Sequence, residues 1–373
     1  MKQNKEIEKS KPLIILTAGG TGGHVYPADA LAEELSKRGY RVELVTDSRG
    51  KNNYKGQLGN IPNHAVLAGG LVGKDGLTKI MNLGKTCLGI LQSCLLLYRK
   101  KPICVVGFGG YASFPCAMAS ILLGTDLVIH EQNSVMSRTN RFLSKYASLV
   151  AQSFPKVKHT PDTAKTLLTG MPVRKSIVEI RNQPRPSINE GKFQILILGG
   201  SQGAKIFSYI LPTAIQKLDK KIQKQLTIYQ QCRKEDEDDL KAIYKNSPAK
   251  VIVSPFFNNM PELYQQSHLI ISRAGASSIS EISVVGIPSI LIPLPTAADN
   301  HQSGNAQFLK QSGGSIVMEQ TDFTADNLSN ILEEILNHPE RLEKMAESTR
   351  SQGITNAAEL LANAIEQNII NKK

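Results

Sequence analysis

The sequence predicts an α/β protein made of two Rossmann-like domains facing a cleft, and three observations support this prediction. The chain has 373 residues, more than one hydrophobic core usually supports. Short apolar runs alternate with helical patterns along its length, as in doubly wound α/β proteins. Two of these runs, Leu13–Thr17 and Phe193–Leu198, each lead to a glycine pair and then to a helical pattern. The order of strand, glycine-rich turn and helix therefore occurs twice.

The predicted elements form two series along the chain. In the first half, strands are predicted at Leu13–Thr17, Arg41–Thr46, Ile103–Val106, Leu127–His130 and Leu149–Gln152, with a helix at Pro27–Arg38. In the second half, strands are predicted at Phe193–Leu198, Thr227–Gln230, Lys250–Val253, Leu269–Ser272, Ser289–Pro293 and Ser315–Met318. The carboxyl-end crevice of each sheet is where a ligand is expected to bind.

Both patterns stop at one polar segment, in which Pro184, Pro186 and Gly191 are typical of a linker. Near the end of the chain, Ile354–Ile370 has the pattern of one amphipathic helix. The predicted division is a disordered extension rich in Lys and Glu (1–11), an N-terminal domain (12–173), a linker (174–192), a C-terminal domain (193–353) and a C-terminal helix (354–373).

The composition bounds the possible partners. The formal net charge is +12, which suits phosphates, anionic lipid or nucleic acid, or equally a solvated lysine-rich surface. Trp is absent and aromatic residues make up only 5% of the chain, so a single-stranded nucleic acid that binds by stacking is disfavoured. The five cysteines lack metal-ligand spacing and are expected to be buried, reduced thiols.

The first glycine-rich stretch, AGGTGGHVYPA at 18–28, is suited to an anionic ligand. Glycines after a strand let backbone N–H groups approach a phosphate, and the helix that follows adds a favourable dipole. A dinucleotide fingerprint fails because Val25 stands where the third glycine is required, and no Walker lysine follows. A tight structural turn without a ligand is the other interpretation.

His24 lies at the end of this loop and is a candidate general base. An imidazole with a pKa near neutrality can take a proton from an attacking hydroxyl. A structural histidine that bonds the backbone of the turn explains the residue equally well.

Two further polar stretches follow strands of the first half. GFGGYASFP, 107–115, places hydroxyls next to a glycine-rich turn, and HEQNSVMSRTNRF, 130–142, begins with four polar residues after an apolar run. Such a cluster is typical of a binding site. Asn133 can hydrogen-bond sugar or phosphate oxygens, and Glu131 can accept a proton or orient a partner. Ordinary helix capping explains Ser134 or Ser137 just as well.

The second half repeats this logic. LGGSQGA, 198–204, again joins a strand to a helix, and Ser201 can hydrogen-bond a phosphate. In SRAGASSISE, 272–281, Arg273 stands at a strand end and Glu281 about one turn into the next helix, where a carboxylate can bind ribose hydroxyls. A helix start with an acidic residue is the alternative. PLPTAADNHQSGNA, 293–306, adds amides such as Gln302 that suit sugar hydroxyls.

Together these strings resemble, in order from Ala18 to Ala306, the MurG family of peptidoglycan N-acetylglucosaminyltransferases. Such enzymes transfer N-acetylglucosamine from UDP-N-acetylglucosamine to undecaprenyl-pyrophosphoryl-N-acetylmuramoyl-pentapeptide (lipid I), which gives lipid II. The resemblance implies the glycosyltransferase B fold. It also implies an inverting single displacement without a covalent intermediate. His24 is then the first candidate base and Glu131 the second.

The resemblance also implies binding roles. In the C-terminal domain it assigns the diphosphate to Ser201, the ribose to Glu281, the uracil to the Phe257 backbone, sugar hydroxyls to Gln302, and the nucleotide lining to Ala276, Ser277, Ser278, Ile279, Ser280 and Glu281. In the N-terminal half it places Thr21, Gly22, Gly23 and Asn133 in loops that face the donor or the acceptor. It also identifies Arg174 as the arginine of the linker motif. The chain departs from the family at Met171, where asparagine is usual, and at Phe257, which replaces a smaller apolar residue.

We predict no metal site of the Asp-x-Asp type. We therefore expect that no cofactor is required, with stimulation by divalent ions left open. UDP-N-acetylglucosamine and lipid I are substrates, nucleic acid is not expected as a partner, and other proteins of the cell-wall pathway are possible partners.

The stretch Leu77–Leu97 is apolar-rich and flanked by basic residues, and its uncharged core, Thr86–Tyr98, is too short to span a bilayer. A helix of this kind suits an anionic membrane surface, which implies a peripheral protein on the cytoplasmic face of the bacterial cell membrane. An ordinary core helix with basic ends is the alternative.

Four other functions stay open on the residues alone. They are a glycosyltransferase with a diacylglycerol acceptor, a UDP-sugar epimerase, an NAD-dependent oxidoreductase and a non-catalytic basic binding protein. The missing third glycine counts against the oxidoreductase. The polar residues Glu281, Gln302 and Asn133 would lack a purpose in a basic binding protein.

Overall fold

The computed structural model describes residues 11–19, 22–48, 56–70, 76–186, 192–200 and 203–371, without the side chains of 76 and 77. The chain divides into two units. Unit 1 comprises Met1–Arg174 and Asn356–Lys373, and unit 2 comprises Lys175–Thr355. Each unit is built on its own parallel sheet, so the prediction of two Rossmann-like domains is confirmed.

The sheet of unit 1 has the strand order β3-β2-β1-β4-β5-β6-β7. Its strands are β1 (Leu13–Thr17), β2 (Arg41–Thr46), β3 (Asn63–Ala65), β4 (Cys104–Gly107), β5 (Asp126–Glu131), β6 (Leu149–Gln152) and β7 (Thr166–Leu168). Side chains of β1 alternate between two apolar clusters, Ile14 and Leu16 in one and Leu13 and Ile15 in the other. Because both faces of the sheet are buried, the strand is a continuous apolar run.

Five described helices precede the second unit: α1 (Gly22–Lys37), α2 (Gln57–Asn60), α3 (Gly76–Lys100), α4 (Phe114–Leu122) and α5 (Arg138–Leu143). The predicted start of the first helix, Pro27, was wrong. Helix α1 begins at Gly22, so Pro27 lies inside it and His24 lies in its first turn. Sequence reasoning placed proline at the start of a helix, where its missing N–H costs nothing. The glycines at the actual start carry no helix signal of their own.

Unit 2 has the strand order β10-β9-β8-β11-β12-β13. Its strands are β8 (Phe193–Leu198), β9 (Leu226–Gln231), β10 (Lys250–Ser254), β11 (Leu269–Ser272), β12 (Ser289–Leu291) and β13 (Ser315–Val317). Its helices are α6 (Lys175–Glu179), α7 (Lys205–Lys217), α8 (Lys220–Gln225), α9 (Glu237–Tyr244), α10 (Met260–Gln266), α11 (Ala276–Val285), α12 (His301–Gln311), α13 (Ala325–Asn337) and α14 (Pro339–Ser351).

The segment predicted as a linker, 174–192, is helical at its start and belongs mostly to unit 2. Helix α6 is followed by a 3₁₀ turn at Ile180–Asn182. Arg181 donates to the carbonyl of Val284 at 2.6 Å, and Arg185 donates to that of Gly286 at 2.7 Å. Both arginines therefore hold this segment against the carboxyl end of α11, where cations are favoured.

The C-terminal segment returns to unit 1. Helix α15 (Ala357–Ile365) and a π turn at Glu366–Ile370 occupy most of the stretch predicted as one helix. Leu361 and Ile365 are buried in the apolar cluster of β1. Arg38 of α1 forms an ion pair with Glu366 at 2.7 Å. The tail therefore contributes to the hydrophobic core of unit 1.

Candidate active site

The order of strands in unit 1 reverses between β1 and β4, and ligands of open α/β sheets bind at such a switch point. The loops after these two strands contact each other there at glycine residues. A Cβ on Gly19 would lie 2.2 Å from Cβ of Ala112, and one on Gly110 would lie 2.7 Å from the Gly19 carbonyl oxygen. The glycines are therefore required for the two loops to approach each other.

His24 joins these two loops. Its Nδ1 lies 2.8 Å from the carbonyl oxygen of Phe108, the residue after β4. Because a carbonyl can only accept, Nδ1 carries the proton and the neutral ring has its lone pair on Nε2. The ring lies against Gly109, where an added Cβ would be 3.3 Å from Cε1 of His24. The imidazole is half-buried between the helix start and the loop after β4.

Glu131, at the end of β5, is enclosed by its own loop. Only 1% of the residue is exposed, and its carboxylate accepts from the backbone N–H groups of Asn133 and Ser137 and from Nδ2 of Asn140. Burial raises the pKa of Glu131, and these hydrogen bonds oppose that rise. Ser137 caps α5 by accepting from the N–H of Asn140 at 3.2 Å, which confirms the capping interpretation for Ser137.

Three of the four polar residues at 130–133 are buried, and the fourth is half-buried. His130 is buried, donates from Nε2 to the carbonyl of Gly170 at 3.0 Å, and has its pKa lowered by burial to about 4. Asn133 is half-buried. Gln132, which sequence reasoning did not select, is buried and donates from Nε2 to the same Phe108 carbonyl at 2.6 Å. Its position between two selected residues is a signal that could have found it.

The other predicted residues of unit 1 lie around α1. Gly22 and Gly23 are its first two residues. Arg174 places its guanidinium 4.5 Å from the centre of the Tyr26 ring, so it lies beside the same helix. Thr21 lies outside the described residues.

In unit 2 the strand order reverses between β8 and β11. Gln302 joins the loops that follow β11 and β12, because its Oε1 accepts from the N–H groups of Ala274 at 3.2 Å and Leu294 at 3.0 Å. Just before it, Asp299 and Asn300 have φ values of 50° and 53°, which non-glycine residues rarely adopt and which often mark functional sites. The amide nitrogen of Gln302 remains the group that can donate to a ligand.

Helix α11 begins at the same edge, with Ala276, Ser277, Ser278, Ile279 and Ser280 ahead of Glu281. The buried Glu281 accepts from the Tyr264 hydroxyl at 2.9 Å. Phe257 follows β10 and packs its ring on Tyr229, with centroids 6.0 Å apart. Ser201 lies outside the described residues. The predicted segment 276–281 is thus a helix start at the switch point, a place suited to an anion.

Arg273 connects three strand ends of unit 2. It donates to the carbonyls of Ile292 and Pro293 and to Oε1 of Gln320, at 3.1, 3.2 and 2.7 Å. Its guanidinium also lies 5.3 Å from the centre of the Phe207 ring. Burial lowers the pKa of Arg273. Its partners are neutral, so the site holds a buried cation whose charge is not offset by these contacts.

Two predictions about side-chain chemistry concern cysteines and metals. All five cysteines are free, but Cys87 is exposed and Cys94 half-exposed, so burial was predicted wrongly for these two. Cys87 lies on the outer side of α3, whereas Cys94 packs at the edge of an apolar cluster, and the apolar pattern alone did not distinguish these positions from the core. Within the described ranges, no group of three or more His, Cys, Asp or Glu residues could hold a metal ion.

Two units that are each built on a parallel sheet, with polar loops at the switch points, match the glycosyltransferase B fold. Residues 14–152 match the glycosyltransferase family 28 N-terminal domain, and residues 194–361 match the family 28 C-terminal domain. The chain belongs to glycosyltransferase family 28, and within it to the family of UDP-N-acetylglucosamine--N-acetylmuramyl-(pentapeptide) pyrophosphoryl-undecaprenol N-acetylglucosamine transferases.

The relatives that support this assignment match over nearly their full length. The transferase of Paramagnetospirillum magneticum is 42% identical over 95% of this chain and 96% of its own. That of Rhizobium rhizogenes is 40% identical over 96% of each chain. Among solved structures, Acinetobacter baumannii MurG is similar with a TM-score of 0.76 at 30% identity, covering 96% of this chain and 99% of its own.

The fold is also shared with a different enzyme class. UDP-GlcNAc 2-epimerase from Neisseria meningitidis is similar with a TM-score of 0.68 at 15% identity, covering 95% of this chain and all of its own. At that identity the likeness concerns the fold alone.

Proposed function

We propose that this chain transfers N-acetylglucosamine from UDP-N-acetylglucosamine to lipid I and forms lipid II. The observation that carries the proposal is the identity of about 40%, over nearly the whole chain, with relatives named for this reaction. The two-unit fold supports it, since both family 28 domains are present.

His24 is the general base of the proposed mechanism. Its Nδ1–H donates to Phe108, which leaves the lone pair on Nε2 to receive the proton of the muramoyl hydroxyl. The hydroxyl oxygen then forms its bond to the anomeric carbon while the bond to the UDP oxygen breaks, in one displacement that inverts the centre. Glu131 has a structural role in this proposal, because its carboxylate accepts hydrogen bonds from donors of its own loop.

Unit 2 binds the donor in this proposal. The start of α11 and Ser201 would face the diphosphate, whose negative charge grows as UDP leaves. Glu281 would bind ribose, the Phe257 backbone uracil, and the Gln302 amide the sugar hydroxyls. In unit 1, the residues proposed to bind substrate are Thr21, Gly22, Gly23, Asn133 and Arg174. No metal or cofactor is required, and activity measured in excess chelator tests this.

Helix α3 attaches the protein to an anionic membrane surface in this proposal. Its stretch Thr78–Lys100 is, by length and composition, long and apolar enough to cross a membrane. Only 22% of the most apolar 18 residues of this stretch is buried in the protein. Its inner face is fixed to unit 1, since Thr86, Ser93 and Leu97 are buried. Leu91 and Tyr98 are 66% and 70% exposed on the outer face. We therefore place α3 on the cytoplasmic leaflet rather than across the bilayer.

The test of the reaction measures UDP release and disaccharide formation from UDP-N-acetylglucosamine, with and without a short-chain lipid I analogue. Release that requires the analogue, with a lipid-linked disaccharide as product, is expected. Sugar isomerisation or UDP release without acceptor would contradict the transferase and favour an epimerase. Transfer to diacylglycerol instead of the lipid I analogue would replace the proposed acceptor.

The test of membrane attachment is sedimentation with phosphatidylglycerol vesicles. The double variant Leu88→Glu, Leu91→Glu removes two exposed apolar side chains of α3 and is expected to lose binding while it keeps activity on the short-chain acceptor. The control is Leu167→Glu, Leu168→Glu, because both leucines are 42% exposed on β7 of the same unit. If the α3 variant binds the vesicles as well as the β7 control does, the proposed role of α3 is refuted.

A further inference from the structure

The carbonyl of Phe108 accepts two side-chain hydrogen bonds, from Nδ1 of His24 at 2.8 Å and from Nε2 of Gln132 at 2.6 Å. Both lone pairs of one backbone oxygen are thereby used. Gln132 is only 4% exposed, so its amide is directed into the protein. The residue is buried next to the half-exposed Asn133 and supports the loop after β4 from within.

The peptide that carries this carbonyl has no intrinsic backbone preference for its orientation. It is followed by Gly109 and Gly110, with φ values of 88° and 76°. Glycine adopts positive and negative φ almost equally well, so the φ preference of Gly109 does not by itself hold the Phe108–Gly109 peptide in this orientation. The Phe108 N–H donates to the Thr17 carbonyl at 2.9 Å, which fixes the preceding peptide but not the carbonyl. The donors from His24 and Gln132 are what orient it.

We propose that Gln132 is a positioning residue for the reaction: its hydrogen bond to the Phe108 carbonyl holds that oxygen toward Nδ1 of His24 and so keeps the lone pair of His24 on Nε2. The inference rests on the proposed role of His24 as the base. Without the Gln132 donor, the peptide can turn away, and the ring can then adopt the tautomer with the proton on Nε2. In that tautomer Nε2 cannot accept the proton of the acceptor hydroxyl.

His130, two residues before Gln132, packs against the side chain of Phe108. The ring of His130 lies 5.4 Å from that of Phe108, and its Nε2 is fixed to the Gly170 carbonyl. The Phe108 side chain is fully buried. The side chain is therefore held by packing and the carbonyl by Gln132, so the two restraints act on different parts of one residue.

The test uses Gln132→Met in the full-length enzyme, because methionine keeps the length of the side chain and removes the donor. We expect kcat to fall about tenfold, the effect of one lost hydrogen bond, with the KM for UDP-N-acetylglucosamine unchanged. In ¹⁵N-histidine NMR spectra, the His24 signals should change from the Nδ1–H tautomer to a mixture with Nε2–H. The His24→Asn spectrum assigns those signals.

The matched control is Gln152→Met. Gln152 is also a buried glutamine at the end of a strand of unit 1, but its Nε2 donates to Thr160 at 3.2 Å. Both kcat and the His24 tautomer should stay as in the wild type. Thermal unfolding of both variants measures any general loss of stability.

A second pair of variants separates positioning from folding. In a His24→Asn background, Gln132→Met should cause no further loss, because residues that act through one another are not additive. A further tenfold loss there, or an unchanged tautomer in Gln132→Met, would overturn the inference. If His24→Asn alone keeps wild-type kcat, the proposed base is wrong. If only Gln132→Met is silent, the base stands and the positioning role fails.

Discussion

The two units place different chemistry at the same topological position. At the switch point of unit 1, neutral hydrogen-bonding groups converge on one carbonyl, and the titratable ring of His24 is half-exposed. At the switch point of unit 2, the permanently charged Arg273 is buried among neutral oxygens, and Gln302 joins two loops. In general an imidazole can exchange a proton in the physiological pH range, whereas a guanidinium keeps its charge.

The contrast shows how one fold serves two tasks in one chain. Both sheets supply parallel strand ends and helix starts at the reversal point, and these features alone favour an anion. Proton transfer needs an additional group, and in the proposed mechanism His24 of unit 1 supplies it, with its Nδ1 held by the Phe108 carbonyl. The comparison therefore predicts that variants in unit 1 change kcat and variants in unit 2 change the KM for the donor.

The largest effect is expected for His24→Asn. Asparagine can still donate to the Phe108 carbonyl, but it cannot accept a proton, so kcat should fall about 10²- to 10⁴-fold, the usual contribution of a general base. The KM for UDP-N-acetylglucosamine should stay near its wild-type value. Steady-state kinetics with the short-chain acceptor measure both constants. A variant that raises this KM and spares kcat would reverse the roles assigned to the two units.

The next effect is expected for Glu131→Gln. The amide nitrogen of glutamine would replace one of the two accepting oxygens and cannot accept a hydrogen bond. Depending on its orientation, it would face either the N–H of Ser137 and Nδ2 of Asn140, or the N–H of Asn133. Unsatisfied buried donors should cost about 1–3 kcal/mol of folding stability. The pH dependence of kcat should keep its shape, because Glu131 does not take the proton. Denaturant unfolding and a pH–rate profile measure these quantities. Wild-type stability with lost kcat would instead identify Glu131 as the base.

Sequence reasoning found the strands and glycine turns because their signals are local. Leu13–Thr17 and Phe193–Leu198 form strands within the predicted bounds, since an apolar run between glycine and polar residues leaves few alternatives. The edge strands β3 and β7 were missed, as each has three residues and no buried side chain. The return of the C-terminal helix to unit 1 depends on contacts distant in sequence, which no local pattern contains.

The residues of the candidate site also differ in whether a local sequence pattern reveals them. Asn133 was selected because a polar cluster after an apolar strand is unusual, His24 because an imidazole ends a glycine-rich loop, and Glu281 because a carboxylate early in a helix can bind ribose. Gln132 was missed because its function depends on the direction of its amide toward Phe108, a residue 24 positions away. Arg273 was noticed but not selected, since burial of its charge became apparent only in the folded chain. The sequence shows which residues reach a strand end, but not which way each side chain points.

A smaller effect, on donor binding, is expected for Arg273→Lys. Lysine has one ammonium group and cannot maintain contacts to Ile292, Pro293 and Gln320 together. The loops after β12 and β13 should loosen, and the KM for UDP-N-acetylglucosamine should rise about tenfold, the cost of roughly one hydrogen bond. The control is Arg341→Lys, an exposed arginine of unit 2 paired with Glu334. An unchanged KM in both variants would show that the buried charge of unit 2 does not support donor binding.

The smallest effect concerns a buried charge of unit 1 that, unlike Arg273, is fully paired. Glu43 on β2 accepts from His64 at 2.7 Å and from Lys100, the last residue of α3, at 3.2 Å. Burial alone would raise the pKa of Glu43, but the hydrogen bonds from His64 and Lys100 outweigh it and lower the pKa to about 2. Because the pKa in the folded state lies below the ordinary value of 4.5, the carboxylate stabilises the fold above about pH 4.5. This stabilisation is lost as the pH falls toward 2.

Glu43→Gln should therefore lower the free energy of unfolding by about 1 kcal/mol at pH 7, the usual worth of one hydrogen-bonded charge contact. The difference from the wild type should shrink between pH 4.5 and pH 3. Urea unfolding at pH 7, 4.5 and 3 measures it. The control is Glu33→Gln, which removes an exposed ion pair with Lys37 and should cost less than about 0.5 kcal/mol at every pH. A constant deficit for Glu43→Gln across this range would mean that the side chain stabilises the fold by packing and not by charge.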